Sequence, residues 1–366
     1  MTTPKPLAFA TATAFWVWAI VGLSACASYY DHPMSGIRER IEAGDPSNVH
    51  ALLVARGGER VAEWYFEGPD ERRGTSLGTI EFEPDTLHDI RSVTKSIVAL
   101  LFGFAVSDGA IETLDTPVLD YFPEYTDLVS EERRRITLHH LLSMTSGWRW
   151  DESTYPYTDL RNSETAMDHA DDRLRYVLSQ PIDAEPGTQF RYSGGDVALI
   201  AEVIERVVGE PIEEYARRRL FEPLGITESE WLKDKKGVPL AASGLRMRPR
   251  DMLKIGQLML DSGRYQGREI LPPDWATTTV TAHAVVASAP ECGMNYGYYW
   301  WLWPACPQTG EPAKHMANGN GGQHIVVVPD YDLVVVTTAG LYNDPRQGEI
   351  DEVLESVIAW VAQQQR

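Results

Sequence analysis

The 366 residues carry 43% hydrophobic side chains with 29 glycines and 23 prolines, the balance of a globular chain long enough to bury a sizeable core. A net charge of −20 leaves no excess of lysine and arginine to replace phosphate counterions, which excludes nucleic acid as a partner. The same acidity favours solubility and disfavours anionic ligands, but it does not point to a reaction.

At the start of the chain, Lys5 precedes a stretch from Leu7 to Ala25 that carries no charge and closes on Leu23-Ser24-Ala25-Cys26. A basic start, an apolar run and small residues before a cut site make an export signal. The ending resembles the bacterial lipoprotein box, which makes Cys26 the candidate lipidation residue. An uncleaved anchor is the alternative, because about 20 apolar residues span a bilayer. Both readings tether the body of the protein to a membrane in the bacterial envelope (the periplasm), and Ala27 resembles outer-membrane sorting. With Cys26 set aside, Cys292 and Cys306 are an even pair in an oxidising compartment and are expected to form a disulfide, two free buried thiols being the alternative.

Residues 50–67 read as a hairpin: an apolar run from Ala51 to Ala55, the turn Gly57-Gly58, then Val61, Trp64, Tyr65 and Phe66. The middle of the chain reads as helices over 92–108, 138–143, 171–179, 196–208, 211–220 and 249–262, separated by proline- and glycine-bearing loops. A second hairpin pairs Ile325–Val328 with Leu333–Val336 across Pro329-Asp330-Tyr331-Asp332. A last helix, about 348–364, shows Ile350, Val353, Leu354, Val357, Ile358 and Val361 at helical spacing. Strands at both ends with helices between predict an α/β (α+β) fold, an antiparallel sheet built from both termini with a large helical insertion. The expected units are a signal over 1–26 and one domain over 27–366, its sheet part about 45–110 and 285–366 and its helical part about 111–284.

The chemistry concentrates at Ser92-Val93-Thr94-Lys95, which opens an apolar run through Val106 that reads as a buried helix. Residues three apart share a helix face, so Lys95 lies beside Ser92. Desolvation lowers an ammonium pKa, and a neutral Lys95 is therefore expected as the base, a role arginine cannot fill. A capping serine beside a snorkelling lysine is the structural alternative.

Ser-x-x-Lys at a helix start is the nucleophile motif of penicillin-binding proteins and serine β-lactamases. Leu141-Leu142-Ser143-Met144-Thr145-Ser146-Gly147, Pro186-Gly187-Thr188-Gln189-Phe190-Arg191-Tyr192-Ser193, Phe221-Glu222-Pro223-Leu224-Gly225 and Gly319-Asn320-Gly321-Gly322 resemble, in order, segments of the class C-like branch of that superfamily. Trp148-Arg149-Trp150-Asp151-Glu152 and Tyr296-Gly297-Tyr298-Tyr299-Trp300-Trp301 look most like its nylon-oligomer (6-aminohexanoate-dimer) hydrolase and esterase subgroup.

The resemblance implies Ser92 as nucleophile, Lys95 and Tyr192 as proton-transfer groups, and the backbone amides of Ser92 and Asn320 as the oxyanion hole. It implies a small ester or amide as substrate and no cofactor. β-Lactamase or D-Ala-D-Ala carboxypeptidase activity is the nearest rival. A non-catalytic ligand-binding lipoprotein is the rival of another class.

Two positions depart from the superfamily pattern. Gly194 stands where Tyr-x-Asn has its asparagine, and Ala317-Asn318-Gly319 lacks the cation of the third motif; both weaken the β-lactamase and peptidase readings. Candidate pocket residues are Trp148, Tyr155, Tyr157, Gly194 and Gly319, with the Trp300–Trp303 run read equally as lining or core. His324 is read as structural and Asp196 as a helix cap. His-Glu-x-x-His and Cys-x-x-Cys spacings are absent, so no metal site is expected.

Overall fold

The computed structural model describes residues 1–2, 34–287 and 292–365. The proposed signal and Cys26 lie outside them. Alternation along the chain gives β1 (Val49–Arg56) two buried faces: Ala51, Leu53 and Ala55 face one core and Leu52 and Val54 the other. β2 (Glu59–Tyr65) returns antiparallel after Gly57-Gly58, whose φ values of 60° and 74° suit the tight hairpin. From the other end of the chain come β3 (Ala284–Ala287), β4 (Met294–Tyr296), β5 (Trp301–Trp303), β6 (Lys314–Gly319), β7 (Gln323–Val328) and β8 (Leu333–Ala339). The eight strands form one antiparallel sheet in the order β3-β4-β5-β6-β7-β8-β1-β2, so the two termini meet where β8 pairs with β1.

Both faces of this sheet are covered. Leu52, Val54, Val326, Val328, Leu333 and Val335 pack with the terminal helix Glu349–Gln363 and with Ile41 of the helix Ser35–Glu42. Leu53, Ile325, Val327, Val334 and Val336 belong to the larger core, with helices α1 (Val93–Ser107), α2 (Ser163–His169), α3 (Gly194–Val208) and α4 (Pro249–Leu260). α4 lies directly on the sheet at Gly256, where an added Cβ would sit 2.3 Å from Val334 Cγ1. The sequence-based division, which put residues 111–284 in the helical unit, therefore assigned α4 away from the sheet it packs on.

α1 is the axis of the molecule: every residue from Val93 to Ala105 is buried. It runs beneath the sheet, packs on α3, and receives the helix Pro273–Thr279 at Gly103. There Trp275 inserts its indole, donating Nε1–H to the Ala99 carbonyl at 3.0 Å. Among the described residues no helix is long and apolar enough to cross a membrane. Cys292 and Cys306 are joined by a disulfide.

A methyl group at Gly103 would lie 2.0 Å from Trp275 Cδ1. Helix propensity alone favours Gly→Ala by about 1 kcal/mol, but overpacking a closed core costs about 1–3 kcal/mol. Gly103→Ala is expected to lower the chemical-denaturation midpoint, and an unchanged or raised midpoint would refute this packing.

Candidate active site

Ser92 ends a short turn held by backbone strain. The preceding Arg91 has φ 49°, a left-handed conformation costly for any residue with a Cβ, and three contacts fix it: an ion pair with Glu71 at 2.5 Å, Asp89 at 3.6 Å, and its guanidinium lying 4.5 Å over the Tyr342 ring. Ser92 precedes α1 without capping it through its side chain. The amides of Val93, Thr94 and Lys95 are instead taken up by the carbonyls of Ile90, Arg91 and Ser92. The serine hydroxyl is thus left for Lys95, whose Nζ donates to Ser92 Oγ at 3.2 Å. Lys95 is 1% exposed, so it does not snorkel to solvent.

The expected neutral lysine is not what surrounds this amine. Lys95 Nζ also donates to Glu164 Oε2 at 3.1 Å and to the Ala242 carbonyl at 2.9 Å. Burial lowers its pKa, but the carboxylate of Glu164, with Tyr192 and Glu152 nearby, outweighs burial and the net shift is upward. These acceptors and the upward shift favour the ammonium form of Lys95. Burial likewise acts to raise Glu164, yet Lys95, Arg73 and the Ser243 hydroxyl hold it down at about 2. Glu164 sits at the start of α2, where Asn162 caps by accepting from the amides of Glu164 and Thr165. The sequence reading missed this carboxylate. The helix is two turns long and mostly polar, and the Asn162 cap was its one local signal.

Tyr192, in the loop before α3, is partly exposed beside Ser92. Lys95 Nζ lies 5.0 Å from its ring centroid and Trp301 stacks with it at 5.5 Å. Burial raises the Tyr192 pKa; the Lys95 charge and a hydrogen bond with Ser92 act against that rise. Ser193, not Asp196, caps α3: its hydroxyl accepts from the Asp196 amide at 3.1 Å. Asp196 is buried and receives the Ser146 hydroxyl at 3.0 and 2.9 Å, tying the Thr145-Ser146-Gly147 loop to α3.

Gly194 explains its own departure from the Tyr-x-Asn pattern. A Cβ there would meet Glu164 Oε2 at 2.3 Å and Glu152 Oε1 at 3.1 Å, so two carboxylates fill the room a side chain would take. Glu152 accepts from the Gly194 amide, from Trp150 Nε1, and from the Tyr157 hydroxyl at 2.9 Å. Burial first, then the Glu164 charge, raise its pKa to about 7 despite the opposing pull of Lys95.

Asn320 stands in the turn between β6 and β7, and its Oδ1 accepts from the Asn343 amide at 2.9 Å. The strand reaches Ser92 because Gly319 has no side chain: a Cβ would lie 2.3 Å from the Ile90 carbonyl oxygen. Two lobes open from Ser92 and Asn320. One, of about 380 Å³, is lined by Arg73, Arg91, Tyr157 and Lys235; the other, about 600 Å³, by Tyr155, Tyr157, Tyr192, Trp301 and Asn318. Trp148 is 1% exposed in the core, and its assignment to the pocket is corrected; Trp300 is also core, whereas Trp301 lines the cleft. His324 hydrogen-bonds Thr337 Oγ1 at 2.9 Å on β7.

Comparison with known proteins places this geometry among relatives. The sequence pattern of the Beta-lactamase family matches residues 46–357. The chain is 24% identical to 6-aminohexanoate-dimer hydrolase of Paenarthrobacter ureafaciens over 315 residues, 81% of this chain and 73% of that one. It is 32% identical to Esterase EstB of Burkholderia gladioli over 184 residues, 48% of this chain and 45% of the esterase, so it matches less than half of that protein's length. Among solved structures, EstCE1, a hydrolase with promiscuous acyltransferase activity, aligns with TM-score 0.69 at 18% identity over 88% of this chain and 97% of its own. The class C beta lactamase of Rhodobacter sphaeroides aligns at 0.63 and 20% identity over 90% and 99%.

The carboxylates make opposite pH predictions. Glu164, depressed in the fold, contributes stability that is present above about 4.5 and lost as pH falls through about 2. Glu152, raised in the fold, contributes stability present below about 4.5 and lost as pH rises through about 7. Denaturant titrations of Glu152→Gln across pH 4 to 8 are therefore expected to lack the downward slope that wild type shows toward neutrality. Parallel slopes for the two proteins would show that Glu152 does not hold its proton.

Proposed function

The chain belongs to the Beta-lactamase family and is an enzyme of its serine-hydrolase type, and we propose that it cleaves a small ester or amide through an acyl-enzyme on Ser92. The observation that carries this reading is the Ser92 hydroxyl held at 3.2 Å by a buried, charged lysine at the junction of two cleft lobes. Because Glu164 and the Ala242 carbonyl hold the Lys95 ammonium, Tyr192 takes the Ser92 proton once its own phenol has ionised, a phenolate that burial disfavours and the Lys95 charge stabilises. Ser92 Oγ bonds to the substrate carbonyl carbon, and the amides of Ser92 and Asn320 take the negative charge on its oxygen. Tyr192 returns the proton to the departing alcohol or amine as the ester or amide bond breaks. Water then gives a proton to Tyr192, attacks the acyl carbon and releases Ser92 with that proton restored.

The two lobes suit an acyl group on one side of Ser92 and a leaving group on the other. Tyr155, Tyr157 and Trp301 supply aromatic surface to the larger one. Gly194 and Ala317 favour this reading over β-lactam or D-Ala-D-Ala substrates: carboxylates fill the space beside Gly194, and Ala317 is an uncharged, buried residue on β6. The 6-aminohexanoate-dimer hydrolase and esterase names of its relatives point the same way.

A fluorophosphonate probe is expected to label wild type and not Ser92→Ala, with ester or amide turnover in that variant down roughly 10⁴-fold or more. Tyr192→Phe is expected to lose about 10²–10⁴-fold in kcat. Equal labelling of Ser92→Ala would leave the idle binding-protein reading standing, and faster turnover of a chromogenic cephalosporin than of nitrophenyl esters would favour the β-lactamase reading. The export signal and Cys26 support a further proposal, that a lipid on this cysteine anchors the protein in the envelope. Cys26→Ser is expected to shift the protein from the membrane to the soluble fraction, and retention on the membrane would identify an uncleaved apolar anchor instead.

A further inference from the structure

Behind the strained turn at Arg91 lies a buried cluster that the reaction does not use. His50 of β1, Asp70 of the hairpin strand Glu67–Arg72 and His88 of the short strand His88–Asp89 bring one ligand atom each to within 4.8 Å of one another. The two histidines are 0% exposed and Asp70 is 6% exposed.

The hydrogen bonds around the cluster fix where the imidazole hydrogens are. Asn48 Nδ2 donates to the Pro69 carbonyl at 3.1 Å, which leaves Asn48 Oδ1 facing His50 Nε2 at 3.0 Å. An amide oxygen only accepts, so the hydrogen of His50 is on Nε2. The Asp89 carbonyl, 3.1 Å from His88 Nδ1, places the hydrogen of His88 on Nδ1 in the same way. What remains is His50 Nδ1 and His88 Nε2, two lone pairs 2.7 Å apart, with the Tyr342 hydroxyl, which donates to Asp70, 3.4 Å from His88 Nε2.

Lone pairs so close repel unless a cation stands with them. A single shared proton would satisfy that one line only. It would leave Asp70 Oδ1 3.7 Å from His88 Nε2, beyond hydrogen-bond reach, with the Tyr342 hydroxyl at 3.1 Å as its donor. An ion bound by all three accounts for the convergence: ligands about 2.0–2.2 Å from a tetrahedral zinc lie roughly 3.4 Å apart, and here the two separations from His88 Nε2 are 2.7 and 3.7 Å with all three atoms within 4.8 Å. Acceptors on the far nitrogens are also what orients metal-binding imidazoles. Two glycines make room for this arrangement. A Cβ at Gly68 would lie 2.3 Å from Asn48 Oδ1, and one at Gly340 would lie 2.7 Å from His50 Cε1.

We propose that His50, Asp70 and His88 bind a divalent transition-metal ion, zinc by the chemistry of two imidazoles and one carboxylate, in a structural role. The site braces both halves of the oxyanion hole. His88 continues through Asp89, Ile90 and Arg91 into Ser92, and Tyr342, which contacts Asp70 and underlies Arg91, precedes the Asn343 amide that holds Asn320. This departs from the expectation of no metal site, which searched for contiguous spacings. These ligands are 20 and 18 residues apart and meet only in the fold.

The test uses the full chain, loaded with zinc and then dialysed against metal-free buffer. Elemental analysis is expected to find about one zinc per chain in wild type and close to none in His88→Asn or Asp70→Asn. Cobalt added to chelator-stripped wild type is expected to give the visible absorption bands of a four-coordinate site, and stripping is expected to lower Tm. The wild-type cobalt spectrum keeps the test decisive if the variants fail to fold. No retained zinc and no cobalt bands in wild type would overturn the proposal, as would wild-type zinc content in a folded His88→Asn. A far-downfield histidine proton in metal-loaded wild type would assign the contact to a shared proton and overturn it equally.

Discussion

The ion pair between Lys95 and Glu164, each 1% exposed, is the constraint around which the catalytic half of the molecule is arranged. Taking two charges out of water costs several kcal/mol for each ion, and the pair persists only where further polar groups complete its coordination. Here Lys95 is completed by Ser92 and the Ala242 carbonyl, and Glu164 by Ser243 and the more distant Arg73. Arg73 passes the charge on to Asp168, Asp168 to Arg173, and Arg173 to Asp234, so positive and negative groups alternate from the nucleophile outward. The amine sits on α1 and the carboxylate on α2, which belong to different parts of the chain. Folding of the helical insertion is therefore a condition for a charged Lys95 beside Ser92.

That charge state bears on the proposed reaction. A neutral buried lysine would take the serine proton itself; an ammonium locked to a carboxylate cannot, and it acts as a fixed positive charge in a site of low dielectric. In the proposed reaction, proton transfer then falls to Tyr192, whose ionised form that charge stabilises against burial. Glu152 adds a second carboxylate within reach of the pair, and its pKa of about 7 lets the charge of the site change by one near neutrality. Crowding of these carboxylates against Gly194 accounts for both the missing asparagine and the altered substrate reading.

The sheet contributes by approach rather than by charge. β6 comes close enough to the Ser92 turn for a methyl group at Gly319 to collide with the Ile90 carbonyl, and this nearness brings Asn320 to the cleft beside Ser92. The strain at Arg91 is sustained from behind by Glu71, Asp89 and Tyr342, so the polar cluster containing His50 and His88 and the proposed oxyanion hole share one wall.

Much of this was legible in the chain. The 3.6-residue spacing of Ile350 through Val361, the two β-branched runs around Pro329, and the unbroken apolar stretch after Lys95 report burial, and burial is what local patterning encodes. Ser92 and Lys95 were readable as a pair because three residues on one helix have a fixed geometry. Tyr192 and Asn320 were readable through the segments around them. Glu164, Glu152 and the His50–Asp70–His88 cluster were not, and neither was the true surrounding of Trp148. A carboxylate in a short polar helix carries no periodic signal, and whether an amine is neutral or charged depends on what stands 3 Å away across a gap of 69 residues. Local sequence determined the elements and the pairing of Ser92 with Lys95. Only the tertiary structure decided the charge of its partner, because electrostatic energy in a buried site depends on distance through space and not along the chain.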